Sequence, residues 1–498
     1  MKYKTRFAPS PTGMLHIGGV RTALFDYLAA KSTGGEFNLR IEDTDRERFV
    51  EGALEAVHEG LSWLGIKYDG EVISQSDRVP LYNEFAQKLL ENGSAYRCFC
   101  TSERLASLKE QQISAKKAPV YDRCCLKLTD TEIKKNIDAK KPSVIRFKIP
   151  NTSVIPANAG IHVDPRDKHE DDKLVSWADK VRGEISIPIN TLEDFIIIKS
   201  DGWPTYNFAN VIDDHDMAIN LVIRGDEFVP STPKHILLYQ ALGWEHPNFA
   251  HVPVIVGSDM KKLSKRNGDT ALSEYIAKGY LPEAMINFLV FLGWNPGSTK
   301  EIFTLAELEK AFSIDRVGKS PAIFDIERLN YINGIYIRKL SVKELTNKLL
   351  EFDNNSISSR HSRAGGNLDF LEKVVTVEQS RLHTLGEFGE LAGFYWNLPK
   401  YSPDTLVFKK SSPEATKKGL AAILAVISEI DEPTWSKMCV DDWNALLTKV
   451  VADNSLTNAD VFWPARVALS GLDKSPSPAE LLWVLGKIES VKRIKGTR

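Results

Sequence analysis

The chain reads as α/β: a domain built on a parallel sheet, interrupted by an inserted α+β segment and followed by an all-α region. Three observations lead there. Strand and helix patterns alternate up to Leu64, a polar Lys- and Gln-rich stretch from Thr101 to Lys141 separates them from further buried-strand runs, and beyond Asn330 helix starts accumulate while strand signals fade.

In order, Tyr3, Thr5 and Phe7 alternate with Lys2, Lys4 and Arg6, the period of a strand, before Pro9-Ser10-Pro11-Thr12-Gly13 forces a turn. From His16 onward Val20, Ala23, Leu24, Tyr27 and Leu28 recur at helical spacing until Gly34-Gly35 ends the run. Phe37, Leu39 and Ile41 then alternate with Asn38, Arg40 and Glu42, and Leu54, Val57, Leu61 and Leu64 repeat as a helix. Strand, helix, strand, helix is the grammar of a parallel sheet. Phe195–Ile198 and Leu221–Ile223 are apolar runs of the buried-strand kind, so the polar stretch reads as an insertion between two halves of one sheet. In the last third, Ser341 with Glu344 and Ser477 with Glu480 fit capping boxes, and Ser412-Pro413 fits an N-cap followed by proline at the first helical position. Two stretches, Val154 to Lys173 and Ile357 to Leu368, lack periodicity and are rich in small turn-forming residues; they read as exposed insertions.

Bulk numbers narrow the class without naming a function. At 498 residues the chain exceeds what one core of about 250–300 residues can organise, so several domains are expected. With 43% hydrophobic and 26% charged residues it is neither disordered nor fibrous. No apolar run reaches the ~20 residues of a membrane helix, and five cysteines are too few and too odd for a disulfide framework; a cytoplasmic protein free of the membrane is expected. A net charge of −2 decides nothing about a nucleic-acid partner, which depends on local basic surface.

Two constellations carry chemistry. Pro9-Ser10-Pro11-Thr12-Gly13, with His16-Ile17-Gly18-Gly19, lies between a strand and the first turn of a helix, where glycines admit a ligand and the helix dipole favours anions. Lys262-Leu263-Ser264-Lys265-Arg266 is a basic loop whose Lys265 could neutralise the charge that grows as pyrophosphate leaves.

With Arg6-Phe-Ala-Pro-Ser-Pro-Thr-Gly, Leu39-Arg-Ile-Glu-Asp-Thr-Asp45, Pro204-Thr-Tyr-Asn-Phe208 and Val222-Ile-Arg-Gly-Asp226, these motifs follow the order found in bacterial-type glutamyl-tRNA synthetases, class I enzymes that the chain resembles over nearly all of residues 1–340 and more weakly beyond. The resemblance implies a Rossmann-type catalytic domain in halves 1–100 and 196–250, an inserted tRNA acceptor-end domain at 101–195, a basic-loop region at 251–330 and a helical anticodon-binding domain at 331–498.

The same resemblance implies an ATP-dependent ligase, monomeric, acting on L-glutamate and tRNA(Glu), with tRNA(Gln) left open. ATP would be bound by Pro9, Ser10, Pro11, Thr12, Gly13, His16, Ile17, Gly18, Gly19, Lys262, Leu263, Ser264, Lys265 and Arg266 and would bring Mg²⁺; His16 and Lys265 would act catalytically. Arg6 and Arg224 would hold the substrate's carboxylates, Glu42 its ammonium, and Ser10, Tyr206 and Asn210 would form a neutral hydrogen-bonding wall. Asp43 and Asp45 read as residues that orient others. Cys98, Cys100 and Cys125 resemble part of the zinc-bearing insertion of some members, but Leu126 and Lys127 stand where those members place a histidine, so no zinc is expected. A catalytically degenerate tRNA-binding paralogue is the competing reading, against which stand His16 and Lys265.

Overall fold

The structure, a computed structural model, describes residues 1–150, 174–263, 270–352 and 368–497, with the side chain of Arg46 also left out. Both irregular stretches therefore lie outside the described residues, except Leu368, which opens a helix. Two units divide the chain, residues 1–275 with 285–326 and residues 276–284 with 327–498.

The first unit opens with β1 (Lys4–Phe7), α1 (Ile17–Ser32), β2 (Glu36–Ile41), α2 (Ala53–Trp63), β3 (Ile73–Ser74) and α3 (Val79–Glu91). The three strands pair in parallel in the order β1-β2-β3, as the alternating grammar requires, with Arg6 beside Asn38 and Phe7 beside Leu39. Ile17, Val20, Leu24 and Leu28 are buried along α1, but so are Arg21, Ala23, Phe25, Asp26, Tyr27, Ala29 and Ala30, so the helix is covered on most sides and its apolar period marks no single face. The helix ends where expected, at Gly34 with φ +66°. At Gly35 a Cβ would stand 1.8 Å from the Tyr3 carbonyl oxygen, so this close approach of chain to β1 needs glycine.

An inserted antiparallel sheet follows, β4 (Ala95–Cys98), β5 (Val144–Phe147) and β8 (Phe195–Ile198), with helices α4 (Ser102–Ser114) and α5 (Asp130–Asp138). Here the structure moves an expected boundary. Phe195–Ile198 pairs with β5 and not with the parallel sheet, because a short apolar run reports burial and not which strand it will join. A second, mixed sheet has the order β7-β6-β10-β9, formed by the antiparallel hairpin β6 (Leu174–Asp179) and β7 (Gly183–Pro188), by β9 (Leu221–Gly225) and by β10 (Asn248–Val252), which runs parallel to both β6 and β9. It joins the first group through Asn220, whose N–H donates to the Lys4 carbonyl at 3.1 Å. Helices α6 (Tyr206–Asp216) and α7 (Thr232–Ala241) flank β9, and a short parallel pair links β11 (Ile255–Val256) to β12 (Ala322–Ile323).

The second unit is helical, with runs at Val342–Phe352, Leu368–Glu378, Pro413–Glu429, Val440–Asp453, Asn458–Ser470 and Pro478–Lys495. Its starts follow the sequence signals. Ser341 and Glu344 exchange backbone–side-chain bonds at 2.8 and 3.2 Å, Ser477 and Glu480 do so at 2.7 and 3.3 Å, and Ser412 Oγ accepts from the Ala415 N–H at 3.1 Å. Phe394, Tyr395, Trp435 and Trp443 are buried. Arg493, within the basic C-terminal run, is buried too and donates to the carbonyls of Phe394, Tyr395 and Leu469. Its role is structural. Among the described residues no helix is long and apolar enough to cross a membrane.

Candidate active site

Where β1 ends and α1 begins, His16 is the N-cap residue and its Nδ1 accepts the Gly18 N–H at 2.9 Å. That bond fixes the tautomer, leaving Nε2–H as the donor. Burial, and next the Lys262 ammonium, lower the pKa of the ring, which keeps it a neutral donor. Ile17 N–H is used as well, donating to the Thr270 carbonyl at 2.8 Å. Two first-turn N–H groups are thus occupied, and an anion here would meet the helix dipole and His16 Nε2–H.

The two sequence constellations converge. Leu15 accepts from Leu272 N–H at 3.0 Å, and Leu263 N–H donates to Ile255 at 3.1 Å, so the residues before and after 264–269 flank the same cavity. Lys262 reaches Glu227 at 3.3 Å. Ser264, Lys265 and Arg266 themselves lie outside the described residues.

A cavity of about 500 Å³ opens at this point, and Pro9, Ser10, Thr12, Gly13, His16, Gly18, Gly19, Lys262 and Leu263, among the residues expected for ATP, line it. All six residues expected for glutamate line it too: Arg6, Ser10, Glu42, Tyr206, Asn210 and Arg224. Pro11 and Ile17 do not. Ile17 is wholly buried on α1, and Pro11 is buried with its carbonyl accepting from Val50, because a motif position says nothing about which way helix or turn geometry aims it.

Beneath the cavity lies a network of buried charges. Arg40 donates to Asp214 at 2.6 Å and to Glu42 at 3.0 Å, with Asp213 at 3.8 Å, and Arg6 Nε donates to Asp214 at 2.9 Å. Asp213 also accepts from Gln75, Arg78 and Tyr82. Burial alone would lower the pKa of both arginines, but Asp214 above all reverses the effect and both are raised. Glu42 Oε1 accepts from Arg40 and, at 3.0 Å, from Asn210 Nδ2. Asn210 Oδ1 is buried with no partner among the described residues. A buried acceptor beside a carboxylate suits a substrate ammonium.

Arg224, on β9, is held differently. Its Nε donates to His251 Nε2 at 3.1 Å, one Nη meets His235 Nδ1 at 3.2 Å and Tyr206 Oη at 3.4 Å, and the other donates to Thr232 Oγ1 at 2.8 Å. The guanidinium carbon lies 5.6 and 5.4 Å from the Phe228 and Phe249 ring centroids. Among the described residues no carboxylate oxygen lies within 4.0 Å of it, and burial lowers its pKa.

Sequence reasoning missed Asp213, Asp214, His235, His251 and Asp26. Asp26 lines the cavity, and neither carboxylate oxygen has a hydrogen-bond partner among the described residues; burial pushes its pKa well up, against the pull of Arg6. Asp43 takes the N–H and hydroxyl of Ser76 at 2.8 and 2.6 Å, and Asp45 pairs with exposed Arg48.

In the inserted domain the sulfur atoms of Cys98, Cys100 and Cys125 lie within 4.8 Å of one another. The expectation of no zinc rested on a missing histidine, yet Tyr121 Oη stands 3.2 Å from Cys98 and 3.5 Å from Cys100, and Cys124 is 3.3 Å from Cys100. By donor type and number the set fits a structural zinc ion, which Cys98, Cys100 and Cys125 would hold with Tyr121 or Cys124 as the fourth ligand.

Comparison with known proteins agrees with this architecture. The family described as tRNA synthetases class I (E and Q), catalytic domain, matches residues 2–164 and 157–331, and an anticodon binding domain matches residues 344–498; the first unit is the catalytic part of a class I synthetase. The glutamate–tRNA ligase of Clostridium kluyveri is 41% identical over 99% of this chain and 97% of its own, and that of Clostridium botulinum 41% over 99% and 98%. A crystal structure of a glutamate tRNA ligase from Elizabethkingia meningosepticum, in complex with its amino acid, superposes with a TM-score of 0.86 at 32% identity, covering 100% of this chain and 99% of that one. The chain belongs to the glutamate–tRNA ligase family.

Proposed function

We propose that the enzyme activates L-glutamate with ATP and transfers it to the 3′-terminal ribose of tRNA(Glu), with the cavity residues in the roles that follow. The observation that carries this reading is the meeting, in one cavity, of a neutral His16 donor at a helix N-terminus with Arg224, a buried cation without a carboxylate partner. Glutamate's α-carboxylate is ionised at neutral pH and needs no general base. One of its oxygens attacks the α-phosphorus of ATP, the bond to pyrophosphate breaks, and glutamyl-adenylate forms. A ribose hydroxyl of tRNA then attacks the activated carbonyl and AMP leaves.

Arg6 and Arg224 hold the substrate's carboxylates; Glu42 and Asn210 Oδ1 take its ammonium. His16 Nε2–H and Lys265 stabilise charge on the transferring phosphate. Magnesium enters with ATP as part of the substrate. Residues 101–195 serve the acceptor end and 331–498 the anticodon, the enzyme works as a cytoplasmic monomer, and the irregular stretches are tolerated insertions whose replacement by a Gly-Ser turn leaves charging intact.

ATP-dependent charging with radiolabelled glutamate on purified tRNA(Glu) and tRNA(Gln) tests this. Charging of tRNA(Glu) supports the reading, and the second tRNA decides the breadth of substrate. Charging with glutamine in place of glutamate, or no charging at all, would overturn it.

A further inference from the structure

The way Arg224 is held differs from the way every other buried arginine of the cavity is held. Arg6 and Arg40 rest on carboxylates and Arg21 on the backbone carbonyls of Leu292 and Pro253, whereas Arg224 rests on two imidazoles, a hydroxyl and a phenol. An imidazole accepts a hydrogen bond from a guanidinium only through an unprotonated nitrogen, so the proton on each ring must sit on the other side.

Each ring has a partner that puts it there. His251 Nδ1 donates to Asp179 Oδ2 at 2.5 Å, leaving Nε2 as the acceptor for Arg224. His235 Nε2 faces Asn207 Oδ1 at 3.0 Å, an acceptor, which leaves Nδ1 for Arg224. Asp179, at the end of β6, is locked in turn: its Oδ1 accepts the backbone N–H groups of Val181, Arg182 and His251 at 3.0, 2.9 and 3.2 Å. Asp179, His235 and His251 are buried, and none of the three belongs to a motif that binds ATP or glutamate.

From this geometry, and resting on the function proposed above, we infer that Asp179 and Asn207 act as positioning residues that hold His251 and His235 in the acceptor tautomer, so that Arg224 is fixed in place while its positive charge stays uncancelled for the substrate's carboxylate. A carboxylate at either ring's place would orient the guanidinium equally well but would neutralise it. A ring in the opposite tautomer would set N–H against N–H and turn the guanidinium away. The arrangement provides orientation without neutralisation, the combination that an anion-binding arginine requires.

Asp179→Asn isolates the idea because it is nearly isosteric. The amide oxygen of Asn can keep the three backbone N–H bonds, which leaves its NH2 facing His251 Nδ1; that nitrogen must then accept, and the proton moves to Nε2, against Arg224. Removal of a partner that orients an imidazole costs about 10–100-fold where it has been measured at metal sites, and a rise of that size is expected in the KM for glutamate in the charging reaction, with the KM for ATP unchanged. His251→Gln and His251→Leu supply an independent arm: Gln can present an oxygen where Nε2 stands and keeps the glutamate KM low, whereas Leu, of similar bulk without an acceptor, raises it. Arg224→Ala serves as the control that separates failures. If Arg224→Ala leaves glutamate KM unchanged, the assignment of the cavity fails. If Arg224→Ala raises it while Asp179→Asn and His251→Leu, folded by circular dichroism, leave it at the parent value or raise both KM values together, the positioning inference alone is overturned.

Discussion

Two layers of one cavity treat buried arginine in opposite ways. In the floor, Arg6 and Arg40 share Asp214 and Arg40 also meets Glu42 and Asp213, every charge answered by another at 2.6–3.8 Å. In the wall, Arg224 is answered by His235, His251, Thr232 and Tyr206, which orient it without opposing its charge. The difference separates scaffold from site. Arg40, answered by three carboxylates, has little left to offer an incoming carboxylate; Arg6 answers Asp214 alone and still lines the cavity; Arg224, uncancelled in a low-dielectric pocket, has a full charge to give.

The largest expected effect breaks the floor. Arg40→Ala would leave Glu42 without its cation, Asp214 with Arg6 alone and Asp213 with Arg78 alone, and losing one partner of a buried ionic network costs about 3–5 kcal/mol. Thermal unfolding should show a drop in Tm that substrate does not explain; a Tm equal to the parent's would mean that the network contributes nothing to the fold.

Next comes Lys265→Ala, on the basic loop of the sequence. Its ammonium should act on charge that appears in the transition state, so kcat should fall by roughly a hundred- to a thousand-fold, the ~2.7–4 kcal/mol that loss of one preorganised donor costs. A change confined to the KM for glutamate would move Lys265 out of the chemistry and into the wall.

Acid separates the layers by the pH at which each gives way. The pKa values of His235 and His251 are lowered, first by burial, so the unfolded chain takes up their protons before the folded one does. Stability should therefore decline as pH falls below the ordinary histidine range near 6.5, and His251→Gln should flatten part of that decline. In the floor, Asp214 is depressed because Arg6 and Arg40 outweigh its burial. Its contribution is present above the ordinary carboxylate range and is lost only as pH falls beneath it, while Asp213, raised by burial, opposes it in part. A Tm flat from neutral pH down to the carboxylate range would contradict the neutral-histidine wall.

How much of this was legible in the sequence follows the range of the contacts. Arg6, His16, Glu42 and Arg224 lie in motifs whose residue types suit their chemistry, and the structure brings them into one cavity. The helix caps at Ser341, Ser412 and Ser477 were legible because a capping box is a contact three residues long. The partners of Arg224 were not, since Asp179 and His251 are 72 residues apart and belong to no short motif. A faint signal was present: His251 sits in the buried strand Asn248–Val252, and Asp213 with Asp214 falls inside the mostly buried helix Tyr206–Asp216, polar residues where burial demands a partner. Phe195–Ile198 was placed in the wrong sheet for the same reason, as strand pairing is a long-range fact.

The smallest effect lies away from the cavity. Metal analysis of the purified protein should find about one zinc per chain if the three thiols with Tyr121 or Cys124 close a structural site. Loss of that zinc to a chelator should lower the Tm without changing the KM for glutamate, which keeps the inserted domain distinct from the floor and the wall.

The claim that Arg224 is site and not scaffold is tested most directly by the thermal shift that glutamate produces in Arg224→Gln and Arg40→Gln beside the parent, since a ligand raises Tm only through binding to the folded state. The account predicts that Arg224→Gln unfolds near the parent's ligand-free Tm and no longer responds to glutamate, while Arg40→Gln unfolds well below it. An Arg224→Gln protein as destabilised as Arg40→Gln, yet still shifted by glutamate like the parent, would contradict it.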